Sequence, residues 1–317
     1  MLDKNVLLLE SVSQEAHQLL LENAPVLASD SPYSGEEIAH RHNIEAIITR
    51  GKGQVNQQLI DACPELKVIA RCGVGLDNVD VNHASSKQVK VVNAPGVNAD
   101  TVAEHAISLM LSLQRKLFIS FLQVKQHNWD YRKCYDGNEI RGKTLGVLGM
   151  GNIGQKVARL AEAFGMDIIY WDLLPKEVLY PFASLEEVLS LADIISIHLP
   201  LLPETNLLIN KESIEKMRPH TLLVNTARGA IIDEEALTDA IRTQKIGGFG
   251  ADVLTVEPPP VDYPLLGFEN VMISPHSASL TRRTYNAMCV KTVKNTISIL
   301  KGEAIDPKYI FNVSLLT

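Results

Sequence analysis

The sequence predicts an α/β protein with two parallel β-sheets, each covered by helices. Short apolar runs alternate with longer segments of helical periodicity, which is the pattern of strands joined by crossover helices. The apolar runs are continuous, as in strands that are buried on both faces. The runs form two sets with a long apolar segment between them, and a chain of 317 residues is long enough for two domains.

The predicted strands are separated, in most cases, by predicted helices. The first set lies within residues 1 to about 95, and the second begins near Thr144 and ends near Ile273. The predicted strands are Val6–Leu9, Ala46–Ile48, Val68–Ala70, Thr144–Leu148, Ile168–Trp171, Ile194–Ile197, Leu222–Val224, Gly248–Ala251 and Val271–Ile273.

Two long helical segments determine the predicted domain bounds. Thr101–Leu113 is apolar on nearly all sides, so we expect it to be buried as a helix between domains or between subunits. A last helix, about Arg282–Lys301, could return to pack on the first set of strands, which would make that domain discontinuous. We therefore predict one domain from residues 1–95 and 285–317 and another from residues 96–284.

The composition argues against several classes of protein. The net charge is −7 and no cluster of Lys and Arg stands out, so we expect no nucleic-acid partner. No stretch approaches about 18 apolar residues, and the run Val6–Leu9 is too short for a secretory signal. We expect a cytoplasmic protein with no membrane partner, with its four cysteines as reduced thiols and with no bound metal.

A glycine-rich turn directly follows the predicted strand Thr144–Leu148. Its pattern is Gly149-x-Gly151-x-x-Gly154, and a helical pattern follows it. The first glycine permits a tight turn, the second lets a pyrophosphate approach the backbone, and the third lets helix and strand pack closely. The free N–H groups and positive dipole end of the helix would hold the phosphates. The turn therefore predicts a dinucleotide-binding Rossmann domain.

An acidic residue at the end of the next predicted strand favours NAD over NADP. Asp172 follows Ile168–Trp171, where a carboxylate accepts hydrogen bonds from the ribose hydroxyls of NAD. Such a carboxylate would repel the 2′-phosphate of NADP, and the next residues are Leu173 and Leu174 rather than Arg.

Ionisable residues follow three further predicted strands, at the edge where ligands of open α/β sheets bind. Arg228 suits a substrate carboxylate and carbonyl, and His276 could exchange a proton near neutral pH as hydride moves. Glu257, beyond Asp252, could orient that imidazole. Singly, each could be a surface or capping residue, but together they predict hydride transfer on a 2-hydroxy acid. His105, inside the apolar segment, is expected to be a packed residue.

Through these residues the chain resembles the D-isomer-specific 2-hydroxyacid dehydrogenase family over nearly its whole length. The resemblance implies an NAD-binding doubly wound domain inserted in a discontinuous flavodoxin-like substrate domain. It implies a catalytic triad of Arg228, Glu257 and His276, and a homodimer held by the helix near Thr101–Leu113. The motifs are Gly73-Val-Gly-Leu-Asp-Asn-Val-Asp80, the glycine-rich turn, Asn225-Thr-Ala-Arg-Gly229, Asp252 through Glu257-Pro258, and Pro275-His276.

Within that family, the phosphoglycerate dehydrogenase branch looks most similar, through Asn93-Ala-Pro-Gly96, Asn98-Ala99 and Thr101-Val-Ala-Glu-His105. The branch implies oxidation of 3-phosphoglycerate to 3-phosphohydroxypyruvate, a step of serine biosynthesis. Arg50 and Lys52 would then hold the phosphate, although a solvated basic loop is the alternative for these two residues. The backbone of Gly73, Val74 and Gly75 would receive the carboxylate. The resemblance also implies NAD contacts at Val74, Gly149, Gly151, Asn152, Ile153, Gly154, Asp172, Leu199, Thr226, Ala227, Arg228, Asp252, His276 and Ser279.

Two departures keep other functions open. The sequence ends at Thr317, so serine feedback through a C-terminal regulatory domain is not expected, and Ser-Ala-Ser follows His276 where that branch commonly has Gly-Gly. Reduction of hydroxypyruvate or glyoxylate is therefore an alternative. An NAD(H)-sensing interaction protein, such as a corepressor, is another, although the intact triad argues against it. A formate dehydrogenase would carry Gln in place of Glu257.

Overall fold

Residues 2–316, which the computed structural model describes, form two parallel β-sheets in two compact units. One unit takes in the chain up to Asn98 and again from Leu280 onward, and the other is Ala99–Ser279. The prediction of two parallel-sheet α/β domains is confirmed. The residue bounds that we predicted for the domains stay a prediction, because compactness does not show that either unit folds by itself.

Strands and helices alternate along most of the chain. The strands are β1 Asn5–Leu8, β2 Val26–Ala28, β3 Ile44–Thr49, β4 Val68–Arg71, β5 Lys90–Val92, β6 Thr144–Leu148, β7 Asp167–Trp171, β8 Ile194–Ile197, β9 Leu222–Asn225, β10 Gly248–Ala251 and β11 Val271–Ile273. The α-helices are α1 Gln14–Asn23, α2 Gly35–Ala39, α3 Gln57–Asp61, α4 Val81–Ser86, α5 Ala99–Gln114, α6 Leu117–Lys125, α7 Asn152–Ala163, α8 Leu185–Leu191, α9 Lys211–Lys216, α10 Glu234–Arg242 and α11 Arg282–Lys301. Short 3₁₀ helices are Trp129–Lys133, Gly229–Ile231, Pro264–Gly267, Pro307–Tyr309 and Val313–Leu315.

The first unit is a doubly wound sheet with the strand order β2-β1-β3-β4-β5, all parallel. This is the flavodoxin-like order, with its switch point between β1 and β3. Val6 and Leu8 pack on α1 and α11, whereas Leu7 and Leu9 pack on α2 and α3. Successive side chains of β1 therefore enter cores on opposite faces, which explains why its sequence is continuously apolar.

The C-terminal segment closes the first unit against β5. The side chain of Asn312 is buried, where its Oδ1 accepts from the backbone N of Val91 (2.8 Å). Its Nδ2 donates to Ser85 Oγ (2.9 Å) and to the backbone carbonyl of Val89 (2.9 Å). Phe311 donates its N–H to the carbonyl of Val91 at 2.8 Å. The two chain segments of this unit are thus joined by buried hydrogen bonds as well as by the packing of α11.

The second unit is a six-stranded sheet with the order β11-β10-β9-β8-β6-β7, again all parallel. Phe182 adds a single parallel bridge to Tyr170, beyond β7. The chain reverses its direction of strand addition between β6 and β8, which is the switch point of this sheet. Helices α5 and α7 cover one face, and α8, α9 and α10 cover the other.

Helix α5 contains the long apolar segment, and other elements of the second unit bury it. Ala103, Ala106 and Met110 are fully buried beside α7 and the sheet. Gly250 of β10 faces this helix, since a Cβ there would lie 3.0 Å from Leu113 Cδ1. Among residues 2–316, no single helix is long and apolar enough to cross a membrane. Helices α5 and α6 taken together are long and apolar enough, by length and composition only, and the chain bends by 62° between them.

We expect Asn312→Ala to destabilise the first unit strongly. The substitution leaves the backbone groups of Val91 and Val89 buried without their partner, and one such group costs about 1–3 kcal/mol. Urea denaturation should show a loss of about 2–3 kcal/mol in the free energy of unfolding. Lys308→Ala in the same segment, which breaks an exposed ion pair with Asp306 and a contact with the Tyr309 ring, should change it by less than about 1 kcal/mol. Equal effects of the two substitutions would contradict this account.

Candidate active site

The glycine-rich turn lies between β6 and α7. Gly149 has φ +97°, and a Cβ there would lie 2.7 Å from the backbone carbon of His198. A Cβ on Gly154 would lie 2.0 Å from the carbonyl oxygen of Gly149. At Gly151, in contrast, such a Cβ would point into open space. Packing of the chain thus requires the first and third glycines, while the second leaves space at the N-terminus of α7, as a pyrophosphate needs.

Asp172, at the end of β7, contacts this turn directly. Its Oδ2 accepts from the backbone N of Met150 (2.9 Å), and its Oδ1 accepts from the N of Leu173 (2.8 Å). The carboxylate therefore lies beside the glycine-rich turn, as the sequence predicted for a residue that contacts the ribose. Lys176 Nζ lies 3.9 Å from Asp172 Oδ2, a cation that the sequence reasoning overlooked.

The segment that carries Arg228 is shaped by a buried amide. The side chain of Asn225, the last residue of β9, accepts from the N of Ala227 (2.9 Å) and donates to the carbonyl of Arg228 (2.8 Å). Gly229 lies against the backbone of Leu254, since a Cβ there would be 2.0 Å from the Leu254 carbon. Arg228 Nη1 donates to the carbonyl of Ala227 at 2.7 Å. The turn is thereby held on both sides of the arginine.

Glu257 and His276 form a hydrogen-bonded pair. His276 Nδ1 lies 2.7 Å from Glu257 Oε2, and Glu257 Oε1 accepts from the backbone N of Leu254 at 2.9 Å. Burial alone would raise the pKa of Glu257, but the hydrogen bonds from His276 and Leu254 outweigh it, and the pKa lies below its usual value. The carboxylate is therefore ionised and orients the imidazole through Nδ1, which leaves Nε2 for proton exchange.

His276 also has a strained backbone, with φ +52°. A non-glycine residue in this region costs on the order of 1–3 kcal/mol and persists only where its surroundings hold it. Those surroundings include the carboxylate of Asp252, which is buried at the end of β10. Asp252 accepts from Ser274 Oγ (2.5 Å), from the N of Ser277 (2.8 Å) and from the N of Ala278 (2.8 Å). It thus holds the loop on both sides of His276.

Two histidines that the sequence reasoning did not assign to the site lie in or beside it. His105 of α5 places Nε2 2.8 Å from Ser274 Oγ and 3.7 Å from Asp252 Oδ1. His198, after β8, is buried, which lowers its pKa to about 3, and its Nε2 lies 2.8 Å from Ser196 Oγ. His198 is consequently a neutral group in the wall of the turn rather than a titrating one. His198 belongs to none of the motifs quoted above, and the motif Thr101-Val-Ala-Glu-His105 by itself gave His105 no role in the site.

Site residues of the second unit come together because its strands are parallel. The glycine turn follows β6, Asp172 follows β7, Leu199 follows β8, and Thr226, Ala227 and Arg228 follow β9. Asp252 and Glu257 follow β10, and His276 and Ser279 follow β11. All therefore lie at the carboxyl edge of one sheet, where open α/β sheets bind their ligands. Groups of His, Cys and acidic residues that could hold a metal are not found among the described residues.

Arg50 and Lys52 lie in the first unit, in a loop after β3 that is built around Glu10. Glu10 Oε2 accepts from the backbone N of Arg50 (2.8 Å), Lys52 (3.0 Å) and Gly53 (2.9 Å). Burial alone would raise the pKa of Glu10, but these hydrogen bonds prevail and lower it. The guanidinium of Arg50 lies 4.8 Å from the ring centre of Tyr285.

The predicted carboxylate-binding loop, Gly73–Gly75, follows β4 in the same unit. Ala94 donates its N–H to the carbonyl of Gly73 (2.8 Å), and Asn93 Nδ2 donates to the carbonyl of Val74 (2.7 Å). Arg71 Nε donates to the carbonyl of Arg50 (2.6 Å), and a Cβ on Gly73 would meet Arg71 Nη1 at 1.9 Å. Arg71, which the sequence reasoning missed, thus connects the two loops that carry the predicted substrate contacts.

Comparison with known proteins agrees with this architecture. The family model for the NAD-binding domain of D-isomer specific 2-hydroxyacid dehydrogenases matches residues 107–278. A D-3-phosphoglycerate dehydrogenase of Archaeoglobus fulgidus is 37% identical over 94% of this chain and 57% of its own length. A hydroxypyruvate reductase of Thermotoga maritima is 38% identical over 90% of this chain and 94% of its own.

A solved structure shows the same fold. The D-lactate dehydrogenase of Aquifex aeolicus, crystallised with NAD and lactic acid, superposes with a TM-score of 0.86 at 29% identity. The superposition covers 95% of this chain and 96% of that one. The chain thus spans little more than half of the matched phosphoglycerate dehydrogenase but nearly all of the reductase and of the lactate dehydrogenase.

Two glycine substitutions in the turn should separate binding from folding. Gly151→Ala places a methyl group in open space, so the free energy of unfolding should fall by less than about 1 kcal/mol. The Kd for NADH should nevertheless rise about tenfold or more, because the methyl occupies the approach of the pyrophosphate. Gly154→Ala meets the backbone and should cost about 2–3 kcal/mol of stability. Fluorescence titration with NADH and urea denaturation measure the two effects, and unchanged NADH binding by Gly151→Ala would contradict the assignment.

Proposed function

Because the chain belongs to the D-isomer specific 2-hydroxyacid dehydrogenase family, we propose that it interconverts a D-2-hydroxy acid and its 2-keto acid with NAD. The observation that carries the proposal is the pair of His276 and Glu257, at the edge of the sheet that bears the dinucleotide turn. An acid–base pair at the edge of a dinucleotide sheet suits a reaction in which a proton and a hydride leave the same carbinol.

Each group in the site has a separate task. Bound NAD supplies the hydride acceptor in oxidation and, as NADH, the donor in reduction. His276 Nε2 takes the proton of the substrate hydroxyl during oxidation and returns it during reduction. Glu257 holds Nδ1 and stabilises the imidazolium that forms. Arg228 orients the substrate carboxylate and polarises the carbonyl, for which a planar guanidinium is suited.

The same edge offers the groups that would hold NAD. The turn Gly149–Gly154 and the N-terminus of α7, beginning with Asn152 and Ile153, would receive the pyrophosphate, and Asp172 the ribose hydroxyls. The remaining proposed contacts follow the other strands of this sheet, apart from Val74 in the first unit: Leu199, Thr226, Ala227, Arg228, Asp252, His276 and Ser279. Asp252 already accepts three hydrogen bonds from the loop after β11, so its main task toward NAD is to position that loop.

For the substrate, we propose 3-phosphoglycerate first, with the phosphate held by Arg50 and Lys52 and the carboxylate by the Gly73–Gly75 loop. The phosphoglycerate dehydrogenases among its relatives support this choice. One observation favours hydroxypyruvate or glyoxylate as the second candidate. The backbone amides of Arg50, Lys52 and Gly53 are already bound to the anionic Glu10, so these three amides do not attract a phosphate.

We also propose that the enzyme is a homodimer. The predicted helix region, 101–113, is itself buried inside its own unit, but the helix that follows presents an exposed apolar surface. Phe118 is 52% exposed, Phe121 63% and Trp129 67%. Large aromatic side chains grouped on a surface are typical of protein interfaces, so the contact would include α6 and the 3₁₀ helix after it.

The activity is tested by NADH oxidation with 3-phosphohydroxypyruvate, hydroxypyruvate, glyoxylate and pyruvate. We expect turnover with at least one, and His276→Gln should lower kcat by about 10²–10⁴ because the proton donor is lost. His40→Gln, an exposed histidine outside the site, is the control. If NADH were oxidised with none of the four acids, the proposed dehydrogenase activity would be refuted. Arg228→Ala should then distinguish a sensor, which would keep partner binding, from an enzyme, which would lose turnover.

Arg50→Ala tests the substrate. If Arg50 binds a phosphate, the KM for 3-phosphohydroxypyruvate should rise about tenfold to hundredfold, because a charge-assisted bond is lost, while the KM for hydroxypyruvate changes far less. Lys87→Ala removes a distant cation that is paired with Asp61 and should affect neither KM. Equal rises for both keto acids would reject the phosphate site and leave hydroxypyruvate or glyoxylate reduction.

A further inference from the structure

The first unit contains two cysteines in direct contact, Cys72 and Cys289. Cys72 directly follows β4, and Cys289 lies in the second turn of α11. Both are buried in the same apolar cluster, with Cys289 fully covered and Cys72 6% exposed. Thr292, one turn beyond Cys289, donates from Oγ1 to the carbonyl of Arg71 at 3.5 Å, which ties this turn of α11 to the end of β4. The two thiols are hydrogen-bonded to one another.

The surroundings of the pair make the two sulfurs unequal. The hydrogen bond from Cys72, the backbone N–H of Ser13 and the hydroxyl of Tyr285 all stabilise a thiolate at Cys289, and the charge of Arg50 adds to this. The pKa of Cys289 therefore lies well below its usual value, while its hydrogen bond to Cys289 and burial hold that of Cys72 well above. Cys289 is the nucleophile of the pair, and Cys72 keeps its proton.

We infer that Cys72 and Cys289 form a peroxide-sensitive thiol pair, whose oxidation to a disulfide switches the substrate loops of the first unit. Cys72 directly precedes Gly73, and its N–H donates to the carbonyl of Thr49 (2.9 Å), where the Arg50 loop begins. A disulfide brings its sulfurs to about 2.05 Å, much closer than two hydrogen-bonded thiols. Closing the bond therefore pulls the end of β4 toward α11 and moves both loops.

The chemistry balances with one molecule of hydrogen peroxide. The thiolate of Cys289 attacks one peroxide oxygen, the O–O bond breaks, and the hydroxide that leaves is protonated to water, which gives a sulfenic acid. The sulfur of Cys72 then attacks the sulfenic sulfur, the S–O bond breaks, and the thiol proton leaves with the hydroxide as a second water. Two thiols are thus oxidised by two electrons, and the peroxide is reduced to two waters.

A cavity in the first unit lies beside the cluster that contains the pair, although neither cysteine lines it. A cavity of about 420 Å³ is lined by Glu10, Ser11 and Val12 among others, and Val12 packs against the cluster that contains both cysteines. The carbonyl of Ser11 accepts from Tyr285 Oη at 3.2 Å, so the cavity wall adjoins the group that contacts Cys289. A cavity of this size admits a molecule little larger than water.

The other two cysteines are internal controls. Cys63 is buried in the other core of the first unit, and burial raises its pKa to about 11, so it is a poor nucleophile. Cys134 is exposed in the second unit and donates from Sγ to the carbonyl of Tyr131 at 3.3 Å. If mere exposure governed oxidation, Cys134 would react first. If the paired environment governs it, Cys289 reacts first.

The test treats the full chain with equimolar hydrogen peroxide, blocks remaining thiols under denaturing conditions, and maps them by mass spectrometry. We expect a linked Cys72–Cys289 peptide that dithiothreitol releases, with Cys63 and Cys134 still free. Cys72→Ser, whose hydroxyl can still donate a hydrogen bond to Cys289, should give a Cys289 sulfenic acid, trapped by dimedone, and no link. Cys63→Ser should link like the wild type. Preferential oxidation of Cys134, or free Cys72 and Cys289 after treatment, would overturn the proposal.

Only the kinetic consequence rests on the proposed function. In the oxidised protein the KM for the active 2-keto acid should rise on the order of tenfold, because misplaced binding groups weaken substrate positioning, and dithiothreitol should restore it. Cys72→Ser, which keeps a hydrogen-bond donor to Cys289 but cannot form the link, should keep its KM after peroxide. A disulfide that forms without change in KM would overturn the switch. The disulfide is detected by mass spectrometry, which needs no enzyme activity. An inactive protein would therefore refute the proposed activity without affecting the test of the thiol pair.

Discussion

The parallel direction of the strands is the constraint on which the site depends. In a parallel sheet every strand ends at the same edge, so loops that are far apart in sequence start side by side. In the second unit this edge collects the dinucleotide turn, Asp172, Arg228 and the pair of Glu257 and His276. A one-residue slip of a strand would exchange the side chains that enter the two cores, so packing on both faces of the sheet also determines where each loop begins.

Each unit uses a carboxylate at the end of one strand to hold the loop of the next. Glu10 follows β1 and accepts three N–H groups from the loop after the adjacent β3. Asp252 follows β10 and accepts from the loop after the adjacent β11, on both sides of His276. Charge-assisted hydrogen bonds of this kind are stronger than neutral ones, which suits loops that carry functional side chains. In the second unit the bonds also hold His276 at its strained φ.

Much of this could be predicted from local pattern, and the failures have physical causes. The glycine turn and the long helix Arg282–Lys301 follow from spacing, and each is where the sequence indicated. β2 and β5, the edge strands of the first sheet, were missed; each has only three residues, but so does β11, which was predicted, so length alone does not explain why they were missed. His105 was expected to be a packed residue, but it also contacts Ser274, 169 positions away. A contact between residues so far apart in the sequence leaves no trace in a local pattern.

The fold class, the cofactor and the family could be predicted without a structure, because they depend on strand periodicity, glycine positions and residue types. Which groups meet could not: Glu10 contacts the Arg50 loop, Asp252 contacts the loop of His276, and Cys72 contacts Cys289. The physical reason is that such contacts depend on how helices and neighbouring strands pack. The same side chain has a different pKa and a different task according to what packing places beside it.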